Sequence, residues 1–199
     1  MKYKVIYADP PWHYKDNLAK TLTGDSRVKN QYPTMSNDEL INFPINDFAD
    51  DNCVLFMWVT IPKLQFGLEL LKIWGFIYKT CLVWNKQFNK RGGNGMGSYF
   101  QINTEFLLMG IRGKIKQWWS GKSNIINAEW RGHSVKPQQF RTLIELCTKG
   151  LEPKIELFAR KKAYGWSVFG NDDRLNHESL DMFNQTENSI TKIIKGNGK

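Results

Sequence analysis

The sequence is poor in the residues that build disulfide frameworks and metal sites. Only three cysteines occur in 199 residues, Cys53, Cys81 and Cys147, each inside an apolar stretch. Their number is odd and no C-x-x-C pair is present. That excludes a disulfide scaffold or zinc ribbon and points to reduced core thiols. The three histidines, His13, His133 and His177, are scattered without the spacing of a zinc site, so no metal is expected. Long apolar runs are missing too. The longest, Val54 to Val59, is far short of the roughly 20 residues that cross a bilayer. The chain opens on MKYKVIYA, without the layout of a signal peptide. A soluble cytoplasmic protein with no membrane partner is the expectation (the host cytoplasm, were the gene carried by a phage).

Negative charge is the other shortage. Nineteen acidic residues face 28 lysines and arginines, a formal charge of +9 with a pI near 9.4. Such an excess suits a polyanionic partner, nucleic acid first and an acidic membrane surface second. It is unevenly spread. Residues 86–122 carry seven bases (Lys86, Lys90, Arg91, Arg112, Lys114, Lys116 and Lys122) against Glu105, a net of +6. Residues 131–162 carry eight bases against three acids, a net of +5, whereas 36–51 carry five acids and no base. A charge run is equally the mark of a solvated face, so composition suggests an anionic partner without establishing one. An apolar fraction of 41% and an aromatic fraction of 14% exclude a disordered chain, and the length suits one α/β domain.

No repeat or low-complexity block appears. Lys2 to Ala8 reads as a strand stopped by Asp9-Pro10-Pro11, and 13–35 as a long polar loop. Ser36 with Glu39 three residues on forms a capping box that opens a short helix to about Phe43. Asn52 to Val59 is a nearly continuous apolar run, the pattern of a strand buried on both faces. Pro62 suits a first helical position; Leu64, Leu68 and Leu71 make a helical stripe that Gly75 ends. Further strands are expected at 76–84, 104–111, 154–159 and 166–169. A Gly-rich basic loop covers 86–102, and a second basic stretch, 112–136, holds Trp118, Trp119 and Trp130. Pro137 opens a helix with Phe140, Leu143, Ile144 and Cys147 in phase. Alternating helices and apolar strands predict an α/β fold with a mostly parallel central sheet, organised as one domain over 1–175 and a polar, weakly ordered tail over 176–199. Ligands of such sheets sit at the carboxyl ends of the strands, which selects the loops after Ala8, Val59, Trp84, Ile111 and Ala159.

Asp9-Pro10-Pro11-Trp12 follows the first strand and therefore lies at such an end. Proline fixes φ, lacks an N–H and forces the preceding residue extended. Two prolines in a row make a stiff platform that presents the Asp9 carboxylate and the Pro10 carbonyl as paired acceptors, suited to an –NH2 group. Trp12 beside them offers a flat face for a base. The bland alternative for an isolated DPPW is a rigid surface turn with a buried tryptophan.

Four further segments follow in order: Gln31-Tyr32-Pro33-Thr34-Met35-Ser36, Leu55-Phe56-Met57-Trp58-Val59-Thr60, His133-Ser134-Val135-Lys136-Pro137, and Glu156-Leu157-Phe158-Ala159-Arg160 with Gly165-Trp166 and Gly170-Asn171. With DPPW, the set resembles the DPPW-type adenine-N6 methyltransferases, the family of the catalytic subunit of the messenger-RNA adenosine methyltransferase and its bacterial and phage relatives. The resemblance covers roughly residues 3 to 173. It implies a Rossmann-like methyltransferase fold of permuted motif order, with helices on both faces of the sheet and S-adenosyl-L-methionine as cofactor. It also implies that Asp9, Pro10, Pro11 and Trp12 form the catalytic motif. Asp9, Lys136, Glu156, Leu157, Phe158, Arg160, Asn171 and Asp172 line the cofactor, and Tyr32 belongs to a loop covering the acceptor. Lys90 and Arg91 of the basic loop are expected to contact substrate. Asp172 stands where some relatives have Gln. The F-x-G-x-G loop common in other amino-methyltransferases is absent after 158, as it is from this family.

An adenine amine is a weak nucleophile because its lone pair is delocalised into the ring. Acceptors for both N–H groups localise that pair, and a carboxylate stabilises the positive charge that develops on nitrogen in the transition state. On a duplex the base must first flip out. The expected activity is methylation of adenine N6 in DNA, with RNA a close second. The preference for DNA rests on small size and the lack of an appended RNA-binding module. A catalytically silent nucleic-acid-binding subunit is the alternative, and methylation of a protein or small-molecule amine a third. A second copy of the chain or a related subunit is the expected protein partner, if there is one. The Trp118-Trp119 pair reads as core, His133 as a loop hydrogen-bonder, and Glu105 at most as a residue that positions a neighbouring base.

Overall fold

The computed structural model describes residues 1–14, 34–88, 99–118, 121–132 and 135–170. Tyr32, Lys90, Arg91, Trp119, His133, Asn171, Asp172 and the expected tail 176–199 lie outside the described residues. Seven strands form one sheet: β1 (Tyr3–Ala8), β2 (Ala49–Thr60), β3 (Ile77–Gln87), β4 (Thr104–Arg112), β5 (Ile125–Glu129), β6 (Lys154–Ala159) and β7 (Ser167–Gly170). Their spatial order is β5-β3-β4-β2-β1-β6-β7. β1 pairs in parallel with β2 and β6, β6 with β7, and β3 with β5. β4 alone runs against both its neighbours, so the sheet is mostly parallel.

β2 is central, and its composition follows from burial on both faces. Cys53, Leu55, Met57 and Val59 point into one core, Val54, Phe56 and Trp58 into the other, with period two. The first core is roofed by α1 (Asn37–Ile41), α2 (Ile45–Phe48) and α3 (Leu64–Ile73), and the second by α4 (Gln138–Cys147). The expected capping box is present. Glu39 N–H donates to Ser36 Oγ at 3.2 Å, and Ser36 N–H to Glu39 Oε2 at 2.7 Å. These bonds satisfy N–H groups that have no partner inside the helix.

Three expectations need correction. Leu68 does not face the core but is 38% exposed; Gly67, Leu70 and Leu71 are the buried face of α3. The helix rotates so that glycine lies against β2, where a Cβ at Gly67 would approach Val59 Cγ2 to 2.8 Å. β5 was not expected, because Ile125-Ile126-Asn127-Ala128-Glu129 is a short edge strand whose side chains are mostly exposed. Most consequential is the direction of β4. Its start, not its end, meets the carboxyl edge of the parallel strands, so the loop after Ile111 lies at the opposite end of the sheet. The basic run 86–122 is thereby divided. Lys86 lies at the carboxyl edge, while Arg112 and Lys114 leave from the far one.

Candidate active site

β1 ends at Ala8, and Asp9 emerges between the ends of β2 and β6. The turn that follows is tightly pinned. Trp12 N–H donates to the Pro10 carbonyl at 2.9 Å, Met35 N–H to the Pro11 carbonyl at 2.8 Å, and His13 N–H to the Met35 carbonyl at 3.2 Å. The Pro10 carbonyl therefore has one lone pair engaged and the second left for an incoming donor. Trp12 is only 6% exposed. Its ring packs edge-on to Phe66 at 6.0 Å, and its Nε1–H donates to the Trp58 carbonyl at 3.2 Å. The ring is part of the core and not an open stacking face.

The open ring at this edge is Tyr14, 45% exposed, with its hydroxyl 2.5 Å from Thr60 Oγ1 at the end of β2. Burial of that hydroxyl raises its pKa, with Thr60 acting against the rise and the charges of Glu105, Lys136 and Asp9 all felt there. Tyr14 was not singled out from the sequence. Its signal is position, two residues beyond the motif. Tyr99 and Phe100, at 93% and 86% exposure, add two more displayed rings in the loop leading to β4.

Lys136 approaches from the segment ahead of α4, where Pro137 holds an extended φ of −65° and ψ of 136° before the helix begins. Its Nζ lies 3.1 Å from Asp9 Oδ1, 3.2 Å from Glu105 Oε2 and 5.2 Å from the centroid of the Trp58 ring. Glu105 in turn pairs through Oε1 with Lys86 Nζ at 3.1 Å, and Lys86 sits over Trp84 at 5.0 Å. Burial pushes the Lys136 ammonium toward deprotonation, but Asp9 and Glu105 outweigh it and hold its pKa above the ordinary lysine value. Lys136, expected to line the cofactor, is thus bonded to the carboxylate of the DPPW motif. Glu105 and Lys86 complete a ladder that sequence spacing could not reveal.

Glu156 on β6 stands opposite Tyr7 on β1 and forms an ion pair with Arg141 of α4. Arg141 is itself held over the Tyr7 and Trp166 rings, at 5.4 and 5.3 Å. Burial raises the Glu156 pKa; Arg141 opposes that rise and the Asp9 charge adds to it. Leu157 is wholly buried in the larger core, and Arg160 is exposed just past the end of β6. Phe158 has φ of 60°, the one non-glycine residue with positive φ among those described. Its ring is 4.9 Å from Phe43. Such a conformation costs about 1 kcal/mol or more and concentrates where backbone must be shaped for a ligand. Gly170, at the end of the neighbouring β7, lies so close that a Cβ there would run into the Ala159 carbonyl oxygen. Among the described residues no group of His, Cys, Asp or Glu is placed to hold a metal, and no helix is long and apolar enough to cross a membrane.

Residues 3–172 match the MT-A70 family model. The chain is 34% identical over 185 residues to the Type II methyltransferase M.MunI of a Mycoplasma species, spanning 85% of this chain and 77% of that protein. It is 31% identical over 176 residues to the N(6)-adenosine-methyltransferase MT-A70-like protein of Drosophila melanogaster. Against the human N(6)-adenosine-methyltransferase catalytic subunit METTL3 it is 30% identical over 178 residues. Both of these alignments cover 85% of this chain but only 27% and 28% of the longer proteins. A match from residue 3 to residue 172, together with a relative similar over most of both chains, establishes that this chain belongs to the MT-A70 family of methyltransferases.

Proposed function

We propose that this protein transfers a methyl group from S-adenosyl-L-methionine to the N6 amine of adenine in nucleic acid, DNA first and RNA second. The observation that carries the reading is the state of Asp9. One carboxylate oxygen is anchored by Lys136, the other takes no hydrogen bond from the described residues, and the Pro10 carbonyl beside it keeps a lone pair. Two acceptors on a rigid turn match the two hydrogens of an exocyclic amine. The order of the two polymers follows the extent of the matches, which cover most of the Type II methyltransferase but only about a quarter of the N(6)-adenosine-methyltransferases.

The residues fit the cofactor the family uses. The Asp9 charge is felt at Glu156, so two carboxylates share this edge. Arg160, exposed just past the end of β6, is a cation suited to a carboxylate, and the backbone bend at Phe158 shapes that same strand end. When bound, the sulfonium supplies an activated methyl group. Asp9 and the Pro10 carbonyl orient the amine and draw its lone pair out of the ring; Asp9 then stabilises the positive charge arising on nitrogen. Tyr14, and beyond it Tyr99 and Phe100, present faces on which bases stack, typically about 1–3 kcal/mol each. Tyr32, Asn171 and Asp172 keep the roles that the family resemblance implies, and Lys90 and Arg91 the substrate contact expected of the basic loop.

Tritiated cofactor supplied with duplex DNA, single-stranded DNA and RNA in parallel, followed by nucleoside analysis, tests the reading. Label in N6-methyladenine is the expected result. Unlabelled nucleic acids throughout would replace it with the silent binding subunit.

A further inference from the structure

Glu105 opens β4, and the antiparallel run of that strand sets it across from Thr60 of β2 and Trp84 of β3, at the edge where Asp9 emerges. Four charges stand there in a row, Lys86, Glu105, Lys136 and Asp9, at 3.1, 3.2 and 3.1 Å. Their side chains are 13%, 12%, 16% and 19% exposed and their charges sum to zero. A buried quartet of this kind is costly to desolvate, so its presence calls for a use other than stability. Glu105 Oε2 is buried and faces Lys136 without a well-aligned hydrogen bond, acting on the ammonium through charge.

We propose that Lys86 and Glu105 are positioning residues that fix how Lys136 is shared between two carboxylates, leaving Asp9 an effective acceptor for the substrate amine. This deepens the adenine-methyltransferase reading and rests on it for its catalytic consequence. An ammonium bonded to Asp9 alone would neutralise the carboxylate that must stabilise the emerging positive nitrogen. A second carboxylate at 3.2 Å draws part of that charge away. Lys86 moderates the draw, because it holds the other oxygen of Glu105. The remaining groups around Lys136 are the Trp58 ring and the Tyr14 hydroxyl, whose pKa burial holds above the ordinary tyrosine value.

Lys86→Met and Glu105→Gln break the same ion pair, so a purely structural role makes them equivalent. Charge sharing makes them opposite. The test measures the Lys136 pKa by competitive acetic anhydride labelling and mass spectrometry across about pH 8 to 12, bracketing the ordinary lysine value. Glu105→Gln is expected to lower it and Lys86→Met to raise it, with Glu105→Asp close to the parent. In methyl transfer, Glu105→Gln is expected to lose about 10- to 100-fold in kcat, by analogy with removing a residue that orients a metal's ligand. Cofactor KM should change little, and the double variant should match Glu105→Gln, because Lys86 acts only through Glu105. Shifts of Lys136 in the same direction in both single variants, or no shift in either, overturn the proposal. Opposite shifts in a protein that methylates no nucleic acid would uphold the charge sharing and defeat the adenine reading instead.

Discussion

Replacing Asp9 by asparagine separates what this carboxylate does for the fold from what it does for the reaction. The change keeps size and polarity but removes the charge that faces Lys136 at 3.1 Å. Stripping a buried cation of every partner costs about 3–5 kcal/mol. Lys136 retains Glu105 at 3.2 Å, so the loss should be nearer that of one charged hydrogen bond, about 1.5–3 kcal/mol. For a domain of this size that lowers Tm by about 3–12 °C. The effect on rate is larger, because the amide offers one acceptor and no charge where the nitrogen turns cationic. Removing one preorganised electrostatic contact of this kind costs about 10²- to 10³-fold in kcat. The assay is methyl transfer at saturating cofactor beside thermal unfolding followed by circular dichroism, with cofactor binding by calorimetry as the control. A variant that melts earlier, binds cofactor and still turns over within about threefold of the parent would show that Asp9 is only a structural anchor.

Two further outcomes follow, one from the same charges and one from the core. Lys136→Met leaves Asp9 and Glu105 facing each other without the ammonium between them, so two like charges repel once both carboxyls ionise and the variant loses stability toward neutral pH. In the parent, the raised Lys136 pKa contributes stability that is full below about pH 10.5 and lost above it. The unfolding free energies of the two proteins, from urea titrations, should therefore diverge toward neutrality, by about 3 kcal/mol, and converge again in strong alkali; a gap independent of pH would contradict the charge assignment. Cys53 is fully buried and its thiol is pushed up to about 12 by burial, so it should react with Ellman's reagent at pH 8 only after denaturation; rapid labelling of Cys53 in the native protein would refute its placement in the core.

Much of the molecule was legible because local chemistry dictates it. The apolar run of β2, the capping box at Ser36 and the stop at Asp9-Pro10-Pro11 each depend on neighbours in sequence, and each is found where the residues put it. The same holds for the family, whose motifs are short strings read in order. Strand direction is a different matter. Thr104 to Ile111 reads alike whether it runs up or down the sheet, since burial on two faces has no polarity along the chain. Only pairing with β2 and β3 reverses it, and that reversal carries Glu105 to the active edge and the later basic residues to the far end. Trp12 shows the complementary limit: its type announced a flat surface, while packing against Phe66 decided that the surface faces inward. The sequence by itself determined which acceptors stand at the end of β1, because prolines set backbone geometry locally. The tertiary structure alone decided which charges surround them, because Lys86, Glu105, Lys136 and Asp9 come from four separate segments that meet only when the sheet is assembled.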